Sequence, residues 1–159
     1  FMKTKTTAMK PQFDLIRKTR SFLLDAVKDV SNDQFNKIPQ GFKNNIIWNM
    51  GHIIAAQQGL CYVRSNVPIV VDEGYMKLFK PDTKPEGQLS ADAIDTLKKL
   101  MLPIVDRLET DYRQQSFAAF KPFKNRYGVE IQTIEDALNF LVYHDGVHFG
   151  CIMALKKMI

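Results

Sequence analysis

This 159-residue sequence has two cysteines, one tryptophan, three histidines and no apolar run of membrane-spanning length. Each scarcity closes off a class of function. A helix crossing a bilayer needs roughly 20 consecutive, mostly apolar residues, and polar side chains interrupt every apolar stretch here. Cys61 and Cys151 form no CxxC pair, which leaves no disulfide framework, cysteine zinc site or thioredoxin-type motif. Both sit in apolar helical patterns and read as packing residues, although Cys151, three residues after His148, has the register to share its surface. The basic N-terminus is followed by no apolar segment, so no secretory signal is expected and a reduced cytoplasmic setting is the default. The glycines are isolated, and no P-loop, dinucleotide fingerprint or nucleophile elbow occurs.

The net charge of +5 is largely local. Lys3, Lys5, Lys10, Arg17, Lys18 and Arg20 face only Asp14 across the first twenty positions. That pattern reads as a solvated tail (1–10) and first helical turns, and it argues against a nucleic-acid partner. The positive balance still suits anionic small molecules.

One domain is expected over 1–159. Apolar residues at helical spacing (Phe13, Ile16, Leu23, Val27) predict a first helix over 11–30. Pro39 and Gly41 punctuate the polar stretch that follows, in which Ser31 can cap a short turn through Gln34. A second helix is expected from Asn45 to Arg64, and 65–89 reads as a long loop, a lid or rim over a pocket. A third helix starts at Ser90, with Pro103 set to kink it or end it early. Residues 114–132 read as an irregular connector, with a short extended piece in RYGVEIQT. Thr133 and Asp136 form a capping box for a fourth helix over 133–157. Four helices and no convincing set of strands predict an all-α four-helix bundle with long connecting loops.

All three histidines fall into one pattern. His144 and His148 are four residues apart in YHDGVHFG, a spacing that places both imidazoles on one helix face. They lie on the stripe Ile134, Leu138, Leu141, Ile152, Leu155, the face expected to turn inward. His52, in WNMGHII, would add a third imidazole from a neighbouring helix. Three neutral imidazoles around one divalent ion leave coordination positions open to water or substrate. Hydrogen bonding to other buried groups is the alternative for imidazoles on an apolar stripe. Asp145 is a candidate to orient a histidine of another helix, or else a surface or interhelical polar residue. Trp48, Tyr62, Tyr75 and Tyr143 are candidate packing or pocket residues.

The segments NIIWNMGHII and YGVEIQTIEDALNFLVYHDGVHFGCIMAL together resemble the DinB-like superfamily of four-helix bundles. Trp48, Gly51 and His52 match its second-helix block. Gly128, Thr133, His144, His148, Gly150 and Ile152 match its C-terminal block. The resemblance implies one divalent ion, nickel or zinc, bound by His52, His144 and His148, and a homodimer. Its members include bacillithiol transferases, mycothiol-dependent isomerases and proteins described as metal-dependent hydrolases. The expected function is a metal-dependent enzyme acting on a small molecule, by transfer involving a low-molecular-weight thiol or by hydrolysis. The alternative is a non-catalytic, metal-binding stress-response bundle.

Overall fold

In the computed structural model, which describes residues 8–159, four long helical segments surround one apolar core. Most of the expected tail lies outside the described residues. Helix α1 spans Lys10–Ala26 and a short α2 spans Asn32–Asn36. The Ser31 hydroxyl and the Gln34 side chain close a capping box at the start of α2. Helix α3, Ile46–Gln57, has every residue buried, because apolar or small residues lie on all its sides and its polar Asn49, His52 and Gln57 each find a hydrogen-bond partner. It packs chiefly on α7, Ile134–Lys156, which also carries α1. The Thr133–Asp136 capping box fixes the start of α7 as the sequence pattern requires.

The third bundle element is split. Helix α5 runs Ala91–Leu100 from its Ser90 cap, and α6 runs Pro103–Arg113 with Pro103 in the first turn. A proline has no N–H to donate and crowds the preceding turn, so carbonyls near the break need other partners. Two carbonyls at this level accept from buried side chains. The carbonyl of Met101 accepts from Arg20 Nη1 at 3.4 Å, and that of Ile104 accepts from Gln57 Nε2 at 2.9 Å. Arg20 is therefore not part of a solvated face. It is 0% exposed and pairs with Asp145 at 2.8 Å, while its Nη1 also donates to Gln57. This network joins α1, α3, the break before α6, and α7 at one level of the bundle.

The connectors hold more structure than their composition suggests. The second helix continues past Gln57 as a π turn, Gln58–Tyr62, and a 3₁₀ turn, Val63–Ser65. The segment 65–89 contains helix α4, Glu73–Phe79, capped by Asp72. It is a strap packed against α3, not a loop. The Phe79 ring occupies the space that a Cβ at Gly51 would need, so that glycine admits a helix neighbour at close range. The 114–132 connector holds a small antiparallel hairpin, β1 Phe123–Lys124 with β2 Glu130–Ile131. Its turn uses Gly128 at φ +80°, and Asn125 Oδ1 accepts from the backbone N–H groups of Tyr127 and Val129. No helix among the described residues is long and apolar enough to cross a membrane.

Candidate metal centre

Helices α3 and α7 bring His52, His144 and His148 together. One ring nitrogen from each lies within 4.8 Å of the others. Ring centroids are 5.1 Å apart for His52 and His144, 4.7 Å for His52 and His148, and 4.5 Å for His144 and His148. His52 is buried, at 7% exposed, whereas the other two are partly open to solvent. The group therefore has a floor on α3 and an open side on α7.

The hydrogen bonds settle which nitrogens are free. His52 Nδ1 lies 2.7 Å from the carbonyl oxygen of Phe79, which can only accept. Nδ1 therefore carries the hydrogen and Nε2 keeps its lone pair. His148 Nδ1 lies 2.8 Å from Asn49 Oδ1. The amide of Asn49 has one orientation, since its Nδ2 donates to the Asn45 carbonyl at 2.8 Å and to Asn44 Oδ1 at 3.0 Å. His148 Nδ1 must therefore also donate, and its Nε2 is left free. His144 differs, because its Nδ1 is buried with no hydrogen-bond partner among the described residues. An unpaired polar atom in that setting is costly. Two imidazoles oriented by acceptors behind them, and a third with an unmet need, make a donor set that fits a divalent cation.

The electrostatics agree. Burial is the largest cause that lowers the basicity of each imidazole, holding His144 near about 3 and His148 near about 4, with His52 also below its usual value. Mutual repulsion adds to this at His144 and His148. The charge of Arg126, at the hairpin tip, also disfavours protonation of all three. All three are consequently neutral near pH 7, the form that binds metal.

Other expected residues take different places. Asp145 accepts no hydrogen bond from a histidine, because its carboxylate is held by Arg20. Burial raises that carboxyl while Arg20 pulls it back down. The orienting role falls instead to Asn49 and the Phe79 carbonyl. Asn49 carried a signal that could have been used, since a buried amide inside the apolar run NIIWNMGHII needs partners. Phe79 carried none, because its contribution is a main-chain oxygen 27 residues away.

Trp48 stacks on His52 at 4.8 Å with planes 8° apart, and its Nε1 donates to Thr83. It also lines a cavity of about 230 Å³ together with Asn45, Phe79 and Pro85. Tyr75 donates to the Gly51 carbonyl at 3.1 Å, beside the site. Tyr62 is a core residue whose hydroxyl donates to Asp111. Tyr143 is exposed on α7, in an aromatic group with Tyr127 and Phe140. Cys151 is exposed and outside the histidine group, while the Cys61 thiol is buried and pushed up to about 12.

A comparison with curated proteins finds no match. The family model of the DinB superfamily matches residues 15–152, a span that contains all three histidines, Asn49, Phe79, the whole of α3 and most of α7. With that coverage, and with a helical bundle whose histidine group can hold a metal ion, this chain belongs to the DinB superfamily.

Proposed function

We propose that the chain is a divalent-metal-dependent enzyme for a small molecule, most readily a thiol-dependent S-transferase, with His52, His144 and His148 as the ligands of a nickel or zinc ion. The observation that carries this reading is the pairing of Nδ1 on His52 and His148 with fixed acceptors, which leaves their Nε2 lone pairs free in a group where one ring nitrogen of each histidine lies within 4.8 Å of the others. A bound divalent ion would supply Lewis acidity, lowering the pKa of a coordinated thiol or water.

The choice between thiol and water rests on the surrounding acids. Water activation profits from a nearby general base. Among the described residues no carboxylate joins the histidine group, and Asp145 is committed to Arg20. Thiol activation at a metal needs no such base, since the coordinated thiol loses its proton outright. The protein's own contributions are then orientation and exclusion. Asn49 and Phe79 set the imidazole tautomers, Trp48 covers one face of His52, and the open side at His144 and His148 admits the reactants. A homodimer is part of this reading. The exposed side chains Leu15 and Phe22 on α1 offer apolar surface for it.

The deciding assay compares a panel of electrophiles and esters, with and without low-molecular-weight thiol, in metal-free and metal-loaded protein. The proposal expects turnover only when metal and thiol are both present. Turnover without thiol, rising with pH, would make it a hydrolase. Absence of metal-dependent turnover in every arm would favour a non-catalytic metal-binding bundle.

A further inference from the structure

The two helices that carry the histidines are clamped by one guanidinium from a third helix. Arg20, on α1, is fully buried. It reaches α7 by a two-point contact with Asp145, Nε to Oδ2 at 2.8 Å and Nη2 to Oδ1 at 3.5 Å. It reaches α3 through Gln57, whose Oε1 accepts from Arg20 Nη1 at 2.8 Å. The Gln57 amide has one orientation, because its Nε2 donates to the Ile104 carbonyl at 2.9 Å. Asp145 follows His144 directly in the chain, and Gln57 comes five residues after His52. Each grip therefore lies within about a turn and a half of a proposed ligand.

Hydrophobic burial alone fixes the rotation of α7 poorly. From Ala137 to Leu155 its one charged residue is Asp145. The inward stripe holds Leu138, Leu141, Ile152 and Leu155, but the solvent stripe of Tyr143, Val147, Gly150 and Ala154 is uncharged as well. Successive residues on a helix lie about 100° apart. A rotation by that step would exchange one uncharged stripe for another and displace His144 and His148 from α3. His144 is the most sensitive of the three histidines. His52 and His148 have acceptors on Nδ1, whereas His144 Nδ1 has no partner among the described residues, so its placement follows the rotation of α7. Stability does not account for a buried ion pair, since apolar residues of similar size serve as well or better. Direction does account for it, because a carboxylate aimed at a fixed guanidinium fork admits one rotation of the helix that carries it.

We infer that Arg20 and Asp145 are positioning residues of the metal centre. With Gln57 they lock α7 against α3 so that the three imidazoles converge before an ion arrives. Asp145 acts on His144 through the helix, and not by a hydrogen bond to its ring. Zinc holds imidazole nitrogens at about 2.0–2.1 Å, with a tolerance of roughly 0.2 Å, so a small rotation of α7 strains or loses a ligand. The inference rests on the proposed role of the three histidines and adds the residues that arrange them.

The variant Arg20→Met/Asp145→Leu separates positioning from stability. It removes one charge of each sign, so the net charge near the ion is unchanged, and most of the wild-type stability should remain. Zinc affinity, read by chelator competition, should nevertheless fall about tenfold or more. The visible absorption of the cobalt-loaded protein, which reports the number and arrangement of ligands, should change with it. Leu155→Ala is the control. It opens a cavity on α7 away from the histidines, so it should lower the urea midpoint and leave zinc affinity and cobalt absorption as in wild type. Asp145→Asn keeps the shape and one acceptor for Arg20, and it serves if the double variant does not fold; its zinc affinity should fall by a smaller but measurable factor. Wild-type affinity and absorption in the folded double variant, or in Asp145→Asn where only that one folds, would overturn the inference. An equal loss of affinity in Leu155→Ala would overturn it too. Failure of the metal site itself looks different: wild type would bind no zinc, or His144→Ala would bind it unchanged, and the inference would fall with the site.

Discussion

Replacing Asn49 tests the logic of the site more sharply than replacing a histidine, because it leaves every proposed ligand in place. Asn49 is 1% exposed and its amide is used completely: Oδ1 accepts from His148 Nδ1, and Nδ2 donates to Asn45 O and Asn44 Oδ1. In Asn49→Ala the His148 ring loses the acceptor that fixes its tautomer. Loss of such a partner lowers metal affinity about 10–100-fold, or roughly 1.4–2.8 kcal/mol. The lost buried hydrogen bonds cost the metal-free protein about 1–3 kcal/mol. Asn49→Asp separates the two effects. A carboxylate still accepts from His148 and makes the imidazole a stronger ligand, so affinity should equal or exceed wild type. It cannot donate, however, and would press a negative oxygen against Asn45 O and Asn44 Oδ1, so metal-free stability should fall at least as far as in the alanine variant. Chelator competition reads the affinity and urea unfolding reads the stability. If Asn49→Ala, still folded, binds metal as tightly as wild type, or if Asn49→Asp binds more weakly than Asn49→Ala, the tautomer argument is wrong.

The buried Arg20–Asp145 pair should behave as a unit. Arg20→Met or Asp145→Leu alone should destabilise by about 3–5 kcal/mol, because each strands a buried charge, whereas the double variant should recover most of that loss in urea unfolding. Gly51→Ala places a methyl group against the Phe79 ring and should cost about 1–3 kcal/mol; Phe79→Leu in the same chain should restore part of it. Acid should weaken the metal-free protein. The unfolded chain protonates its histidines near 6.5, while His144 stays neutral to about 3 and His148 to about 4. Below 6.5 the unfolded state therefore binds more protons, and the urea midpoint should fall steadily toward pH 4. A midpoint unchanged across that range would contradict the burial of neutral imidazoles.

The parts of this molecule that are legible in the sequence are those governed by short-range rules. The Thr133 capping box, the Ser90 cap, the break at Pro103 and the four-residue spacing of His144 and His148 each depend on neighbours within one or two turns. Arg20 was misleading because it stands in a basic stretch, and only the meeting of α1 with α7 shows that it faces Asp145. Helix α4 was hidden in 65–89 because three prolines and two glycines punctuate that segment and its seven residues show no long period. The Phe79 carbonyl could not be foreseen, since a main-chain acceptor has no sequence identity. Asn49 and the cluster of Tyr127, Phe140 and Tyr143 fall between these cases. Their residue types hint at partners, but only the fold says which ones.

The most direct measurement is the metal content of the purified chain and of His52→Ala, His144→Ala and His148→Ala, by elemental analysis after equilibration with nickel or zinc, with circular dichroism on each variant. The proposed site predicts a single divalent ion per wild-type chain and a marked loss in every variant that keeps its helical signal. Wild-type stoichiometry in all three folded variants, or no ion retained by the wild-type chain, would contradict it.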